Sequence, residues 1–205
     1  MDEGIVSRGF QGRRPPPGAA GRLPPGQYVE EGFPVLSAGP TPRTPLPRWD
    51  FRVLDADGRE VRRWSWAEFA LLPAVECTCD LHCVTRWSKF DTRWRGVSVD
   101  TLLAGVDPGG AAFLTAFCDG GYTTNLPLSE ACGGRALVAL DYEGAPLAAE
   151  HGGPARLLVP HLYLWKSAKW LRGLHLRRED APGFWERRGY HNHGDPWKEE
   201  RFWRS

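Results

Sequence analysis

Apolar positions along this chain fall into short runs, and most alternate with polar neighbours at the two-residue period of a strand. Residues 49–54 and 60–64 alternate in this way and flank Asp57-Gly58, a pair that favours a tight hairpin turn. Ser65-Trp66-Ala67-Glu68 has the form of a capping box, so a short helix is predicted to about Leu72, where Pro73 ends it. Residues 75–81 predict a buried strand that delivers Cys83 at or just beyond its end, and Ser98 caps a helix carrying Leu102 and Leu103. Residues 113–118 and 122–126 read as paired strands around Asp119-Gly120-Gly121, followed by a helical turn over 128–132. Residues 136–142 form a strong apolar strand stopped by Glu143-Gly144, and 155–159 and 174–178 add two more. Short strands, sparse short helices and no βαβ rhythm predict an α+β fold with a mainly β core. There are no internal repeats.

Composition changes this picture mainly at the ends. Ten of the 18 prolines lie in the first 50 residues, and residues 1–30 lack apolar periodicity. They are expected to be a proline-rich, disordered leader, with a single domain over residues 31–205. Residues 33–47 are expected to lie extended on that domain, because proline restricts itself and its predecessor to extended geometry. A chain of 205 residues, 41% hydrophobic, is long enough for one substantial core, and its ten tryptophans need core or pocket space. A net charge of +1, with arginine pairs scattered at 62–63, 177–178 and 187–188, argues against a nucleic-acid partner. No run is apolar enough to span a bilayer, and Arg13-Arg14 is followed by prolines instead of an export segment. Together with five cysteines, an odd number suited to reduced thiols, this predicts a cytoplasmic protein.

Cys77, Cys79 and Cys83 lack the paired spacing of a structural zinc site. Cys77 and Cys79 share one face of a strand, as small core fillers do. Cys83 differs, because Arg86 and Lys89 follow it and a nearby cation favours the thiolate, which is a soft-metal ligand or a nucleophile. A hydrolase with His82 as its base is disfavoured, since adjacent residues on an extended chain point apart. Gly152-Gly153-Pro154-Ala155-Arg156 brings a glycine turn and a guanidinium to the start of a strand. That arrangement suits phosphate, though an ordinary hairpin with a surface arginine has the same pattern. Lys166-Ser167-Ala168-Lys169 adds a hydroxyl, amides and ammonium groups. His191-Asn192-His193, with His151 and His161, offers imidazoles for a divalent ion but no acidic or cysteine partner at an obvious spacing. The aromatic tail (Phe184, Trp185, Tyr190, Trp197, Phe202, Trp203) is expected to wrap the domain and bury its rings.

In their order along the chain, these stretches resemble the catalytic core of a known superfamily. They are Phe33-Pro34-Val35-Leu36, His82-Cys83-Val84-Thr85-Arg86-Trp87, Trp94-Arg95-Gly96-Val97, the Gly152-to-Pro160 segment, Lys166-Ser167-Ala168-Lys169 and the Phe184-to-Asp195 tail. The superfamily is that of sulfite oxidase and the protein-methionine-sulfoxide reductases, oxidoreductases that bind molybdopterin. The likeness runs over about residues 33–204 and is greatest to the short bacterial sulfite oxidase-like members. It implies a mainly β sulfite-oxidase fold with short helices around one mononuclear molybdenum, held by molybdopterin and by a protein thiolate at the position of Cys83. It places Arg156, Ser167, Ala168 and Lys169 where the family holds the pterin and its phosphate. Leu36, Ser37 and Ala38 would contribute through backbone groups, and His151 stands where the sulfoxide reductases carry an asparagine. Arg86, Lys89, Asp119 and Tyr122 are expected at the pocket mouth, where a cation would attract an oxide oxygen. The implied activity is oxygen-atom or two-electron transfer on a small molecule, either a sulfur or nitrogen oxide or sulfite. A separate electron-transfer partner is implied, because no haem, flavin or iron–sulfur motif stands out. A metal-free binding domain and a Cys83-dependent hydrolase are the other readings, and neither requires Cys83 and the distant cationic turn together.

Overall fold

Residues 137–142 show how the fold is layered. Leu137 and Ala139 face one apolar cluster, while Val138 and Leu140 face another. A strand that is apolar on both faces lies between two layers, so its alternation is hidden in the sequence. The computed structural model describes residues 18–203.

The elements run β1 (Tyr28–Val29), β2 (Asp50–Leu54), β3 (Glu60–Ser65), α1 (Trp66–Phe69), β4 (Val75–His82), β5 (Trp87–Ser98) and α2 (Val99–Leu103). They continue as β6 (Phe113–Cys118), β7 (Thr123–Pro127), α3 (Leu128–Ala131), β8 (Leu137–Tyr142), β9 (Ala145–Pro146), β10 (Arg156–Leu158) and β11 (Leu171–Arg177). One sheet has the order β3-β2-β11-β6-β7, with β2 and β11 parallel. The other runs β1-β5-β8-β10, with β4 on β5 and β9 on β8. Phe51, Val53, Leu114, Leu126 and Leu174 of the first sheet meet Val97, Val138 and Leu157 of the second in the main core. The α1 cap forms as expected: Ser65 Oγ accepts from Glu68 N, the Glu68 carboxylate accepts from Ser65 N (2.8 Å), and Phe69 is driven into the core. The mainly β architecture with short helices is therefore the one the sequence predicts.

Three expectations change. Residues 75–81 do not form a buried strand: β4 pairs with β5 alone, and only Leu81 and His82 at its end are buried. β5, at 12 residues, has no counterpart among the predicted elements. Asp91, Arg93 and Arg95 take its exposed face while Thr92, Trp94 and Gly96 turn inward, so pairing on both edges makes the strand rather than apolarity. The boundary at residue 31 also moves. Arg22 bridges Asp80 (2.6 Å) and Asp91 (2.7 Å), Ala19 is buried, and β1 pairs in parallel with Trp87 and Ser88. Two carboxylates from the β4–β5 hairpin thus fasten part of the expected leader to the domain, while residues 1–17 of it lie outside the described residues. Among the described residues, no helix is long and apolar enough to cross a membrane.

Candidate active site

A cavity of about 650 Å³ opens where the end of β4, the start of β10 and the turn before β11 converge. The extended segment of residues 33–42 forms one wall, and Asp119 and Tyr122 at the β6–β7 turn form another. Phe184, Trp185 and Tyr190 of the C-terminal tail close a third side.

Cys83 sits just past β4 in a tight turn, where its N–H donates to Trp87 O (2.8 Å) and its carbonyl accepts from Arg86 N (3.0 Å). Arg86 takes the left-handed conformation (φ 77°), which lets the chain reverse directly into β5. The thiol is 6% exposed, and Thr85 Oγ1 donates to Sγ at 3.1 Å. Burial pushes the Cys83 thiol pKa up, opposed by the Thr85 hydrogen bond.

On the same cavity, Arg156 is 2% exposed and has no carboxylate partner among the described residues. Its Nη1 donates to His151 O (2.9 Å) and its Nη2 to Ser167 O (2.8 Å), while Nε is buried with no acceptor. Desolvation lowers its pKa to about 10. A buried, always-charged group with a vacant donor is an anion site. Lys169 stands beside it. Burial first, and then the nearby Arg156 charge, lower the Lys169 pKa to about 8, and its Nζ donates to Leu36 O (2.8 Å) and Glu150 O (2.6 Å). The turn beneath is flush with this pair. A Cβ on Gly152 (φ 111°) would come within 3.0 Å of Lys169 Cα, and one on Gly153 within 2.1 Å of Leu147 O. Ser167 Oγ accepts from Val159 N (2.9 Å), and Ser167 and Ala168 line the cavity with Leu36, Ser37 and Ala38.

Other expected site residues fall elsewhere. Arg86 is exposed and does not line the cavity, because its left-handed turn aims the side chain toward Gly26 in the N-terminal segment. Lys89 is also outside, its ammonium taken up by the Glu31 carbonyl. His151 is not on the wall: its ring stacks on Phe33 (4.2 Å between centroids), and only its carbonyl serves Arg156. Asp119 lines the cavity with its carboxylate committed to Arg172 (3.0 Å) and Thr44 (2.6 Å). Tyr122 donates to Trp165 O (2.6 Å), and burial pushes its phenol well above the ordinary range. Lys166, the first residue of the cationic turn, ion-pairs with Glu186 (2.6 Å) and fastens the tail instead of facing the cavity. His82 cannot serve Cys83 as a base, for Nδ1 is bonded to Ser88 Oγ (2.9 Å) and burial lowers its pKa to about 4. His193 and His161 do find acidic partners, Glu200 (2.9 Å) and Glu130 (2.7 Å), at spacings invisible in sequence. No group of three or more such ligands fit for a metal ion occurs among the described residues. The tail rings are only partly covered: Phe184, Trp185 and Tyr190 wall the cavity, whereas Trp203 is 70% exposed. Thr85, Trp165 and Trp170 are further lining residues that sequence reasoning did not single out.

A buried thiol beside unbalanced cations suits a cofactor that carries both a soft metal and an anionic group. The profile of the oxidoreductase molybdopterin binding domain matches residues 38–185, and the chain belongs to that family, whose cofactor is a molybdopterin. The chain is 42% identical over 186 residues to the uncharacterized oxidoreductase YuiH of Bacillus subtilis, covering 89% of this chain and 93% of that protein. It is 30% identical over 128 residues to the putative protein-methionine-sulfoxide reductase subunit YedZ1 of Azospira oryzae, covering 62% of this chain and 48% of that one. In fold it is similar to the sulfane dehydrogenase SoxCD of Paracoccus pantotrophus, with a TM-score of 0.60 at 19% identity over 69% of this chain and 41% of the other. The residues present fit the cofactor. Arg156 and Lys169 would supply charge for a phosphate, the orphaned Arg156 Nε would supply a donor, and Cys83 would supply a soft ligand.

Proposed function

We propose that this protein is an oxygen-atom or two-electron transfer enzyme whose molybdenum is bound by Cys83 Sγ, acting on a neutral sulfur or nitrogen oxide in preference to sulfite. The observation that carries the reading is the buried Arg156 guanidinium, unpaired by any carboxylate among the described residues and lining the same cavity as Cys83. In this reading Arg156, Lys169, the Ser167 hydroxyl and the Ala168 backbone hold the pterin phosphate, and the Leu36–Ala38 backbone covers it. The bound cofactor supplies the two-electron redox change. Thr85 orients the Cys83 sulfur through its 3.1 Å hydrogen bond, and Tyr122 is locked by Trp165 as part of the wall. Asp119 positions the covering segment through Thr44.

The preference for a neutral substrate follows from where the cations lie. Arg86 and Lys89 are outside the cavity, and Arg156 and Lys169 are assigned to the phosphate, so no further cation lines a wall that includes the rings of Phe184, Trp185 and Tyr190. A small dianion would lose its hydration there without a counter-charge, whereas an uncharged oxide would not. A separate electron-transfer partner completes the cycle, and the cytoplasm is the proposed location.

The test is molybdenum and pterin per chain, by elemental and fluorescence analysis, for wild type and Cys83→Ser from a cofactor-competent host. The reading expects about one of each per wild-type chain and a changed metal spectrum in the variant. Well-folded wild type without either would contradict it. Substrate preference is read by comparing sulfoxide reduction with sulfite oxidation, and faster turnover of sulfite would overturn the neutral-substrate part.

A further inference from the structure

The turn that carries Cys83 is held by both ends of the described chain. From the N-terminal side, Gln27 Nε2 donates to the Cys83 carbonyl (3.1 Å), and Tyr28 N donates to the Arg86 carbonyl (2.9 Å). From the C-terminal side, Arg201 Nη1 donates to the Val84 carbonyl (2.7 Å). Arg201 Nη2 also reaches the Pro25 carbonyl (3.3 Å), tying the two ends to each other beside the turn. Arg201 is buried over the Tyr163 ring (5.0 Å), and its nearest carboxylate, Glu199, is 3.7 Å away and half-exposed. The shorter of its two guanidinium hydrogen bonds goes to the turn. Gly26 makes the crossing possible: it is left-handed (φ 66°), and a Cβ there would lie 2.7 Å from Glu199 Oε1 and 3.4 Å from Arg201 Nη2.

Within the turn, Cys83 N donates to Trp87 O, Arg86 N donates to Cys83 O, and Thr85 Oγ1 donates to Cys83 Sγ. None of these satisfies the Val84 carbonyl or fixes the turn against the rest of the domain. The Val84 carbonyl is satisfied from outside by Arg201, and the Cys83 carbonyl gains its second donor from Gln27. A side chain that anchors the backbone on either side of a ligand fixes the direction of the ligand atom, as outer-shell partners of metal sites do.

We propose that Gln27 and Arg201 are positioning residues for the Cys83 ligand, clamping its turn from the two ends of the chain so that Sγ faces the cavity. This rests on the reading of Cys83 as the molybdenum ligand. The clamp places a function on residues 25–28, which the sequence pattern assigns to a leader, and on a tail arginine more than a hundred residues from the cysteine.

The full chain carrying Gln27→Glu, which keeps the size and loses the donor, Arg201→Met and Arg201→Lys tests it. Alkylation of the Cys83 peptide by iodoacetamide in cofactor-free protein, followed by mass spectrometry, reads the turn without any metal. Molybdenum retained through dialysis and the thiolate-to-metal absorption of loaded protein read the ligand. Gln27→Glu and Arg201→Met are expected to speed Cys83 alkylation and to lower metal retention, each by about tenfold, with the absorption band shifted. Arg201→Lys, which keeps a donor to one carbonyl, is expected to recover part of both. Gln27→Glu melting within a few degrees of wild type while showing these changes separates positioning from general destabilisation. If Arg201→Met fails to fold, Gln27→Glu and Arg201→Lys decide. Wild-type alkylation and retention in those variants would overturn the clamp, as would losses that only follow the melting temperature. Cys83→Ser distinguishes the two layers: no change in metal content or spectrum would remove the ligand reading itself, whereas a clear change beside silent Gln27 and Arg201 variants would remove the clamp alone.

Discussion

Lys166 and Lys169 lie three residues apart on one turn and meet opposite fates. Lys166 is fully buried, yet its ammonium is matched by the equally buried Glu186 carboxylate (2.6 Å) and by the Asn125 and Asn192 carbonyls (2.8 and 2.7 Å). Trp165 Nε1 adds a 2.9 Å bond to the same Glu186 oxygen, closing the network. Lys169, with Arg156 beside it, has only carbonyl oxygens and faces the cavity. A charge balanced within the protein is structure. One left unbalanced beside a cavity is a binding site, since burying it without a counter-ion is unfavourable until a ligand arrives. Counting cations in the Lys166–Lys169 motif cannot tell these cases apart, but the position of Glu186 can.

Breaking the balanced pair should have the largest effect. Lys166→Met strands the Glu186 carboxylate in the interior and is expected to destabilise the fold by about 3–5 kcal/mol, measured by chemical denaturation. Molybdopterin loading should fall only as far as the folded fraction falls. Arg156→Met does the reverse. It removes an unpaired buried cation, so cofactor-free stability should stay within about 2 kcal/mol of wild type, while pterin retention falls about 10–100-fold.

The unbalanced side also has a pH signature. The Lys169 pKa is lowered from 10.5 to about 8, so the cofactor-free protein releases this proton above pH 8. A bound phosphate favours the ammonium, so binding takes up a proton there, and affinity should fall about tenfold per pH unit as pH rises above that value. Below pH 8 this contribution is flat. The same shift makes the cofactor-free protein gain stability as pH rises from 8 toward 10.5, since the unfolded chain then binds the additional proton. Lys169→Arg should abolish the binding slope in calorimetric titrations with inorganic phosphate, and a slope that survives the substitution would assign it to another group. The smallest expected effect lies at the end of β3, outside the cavity lining. Ser65→Ala removes the α1 cap and should cost about 1 kcal/mol with no change in pterin content.

The hairpin of β2 and β3, the α1 cap and the β6–β7 pair were legible in the sequence because their signals are local: alternation, Asp57-Gly58, a capping box and a glycine turn. β5 was not, since its order comes from β4 and β8 on its two edges. Cys83 and Arg156 stood out by chemistry, and the fold brings both to one cavity. Arg86 and Lys89 stood out only by proximity in the chain, and a left-handed residue in the turn sends the first of them outward. Trp185, Tyr190 and Arg201 come from a tail a hundred residues on, where no local pattern reports which ring will wall the cavity or which guanidinium will reach the Cys83 turn. The same holds for Gln27, whose surroundings read as leader because prolines dilute any periodicity there.

The most direct test is pterin content beside unfolding free energy for Arg156→Met and Lys166→Met, each expressed in a cofactor-competent host. The account predicts a crossed result: Arg156→Met stays folded and loses the pterin, while Lys166→Met loses stability and its folded fraction keeps the pterin. Full pterin retention in Arg156→Met, with its stability falling as far as that of Lys166→Met, would contradict the claim that the unbalanced charge is there to hold the cofactor.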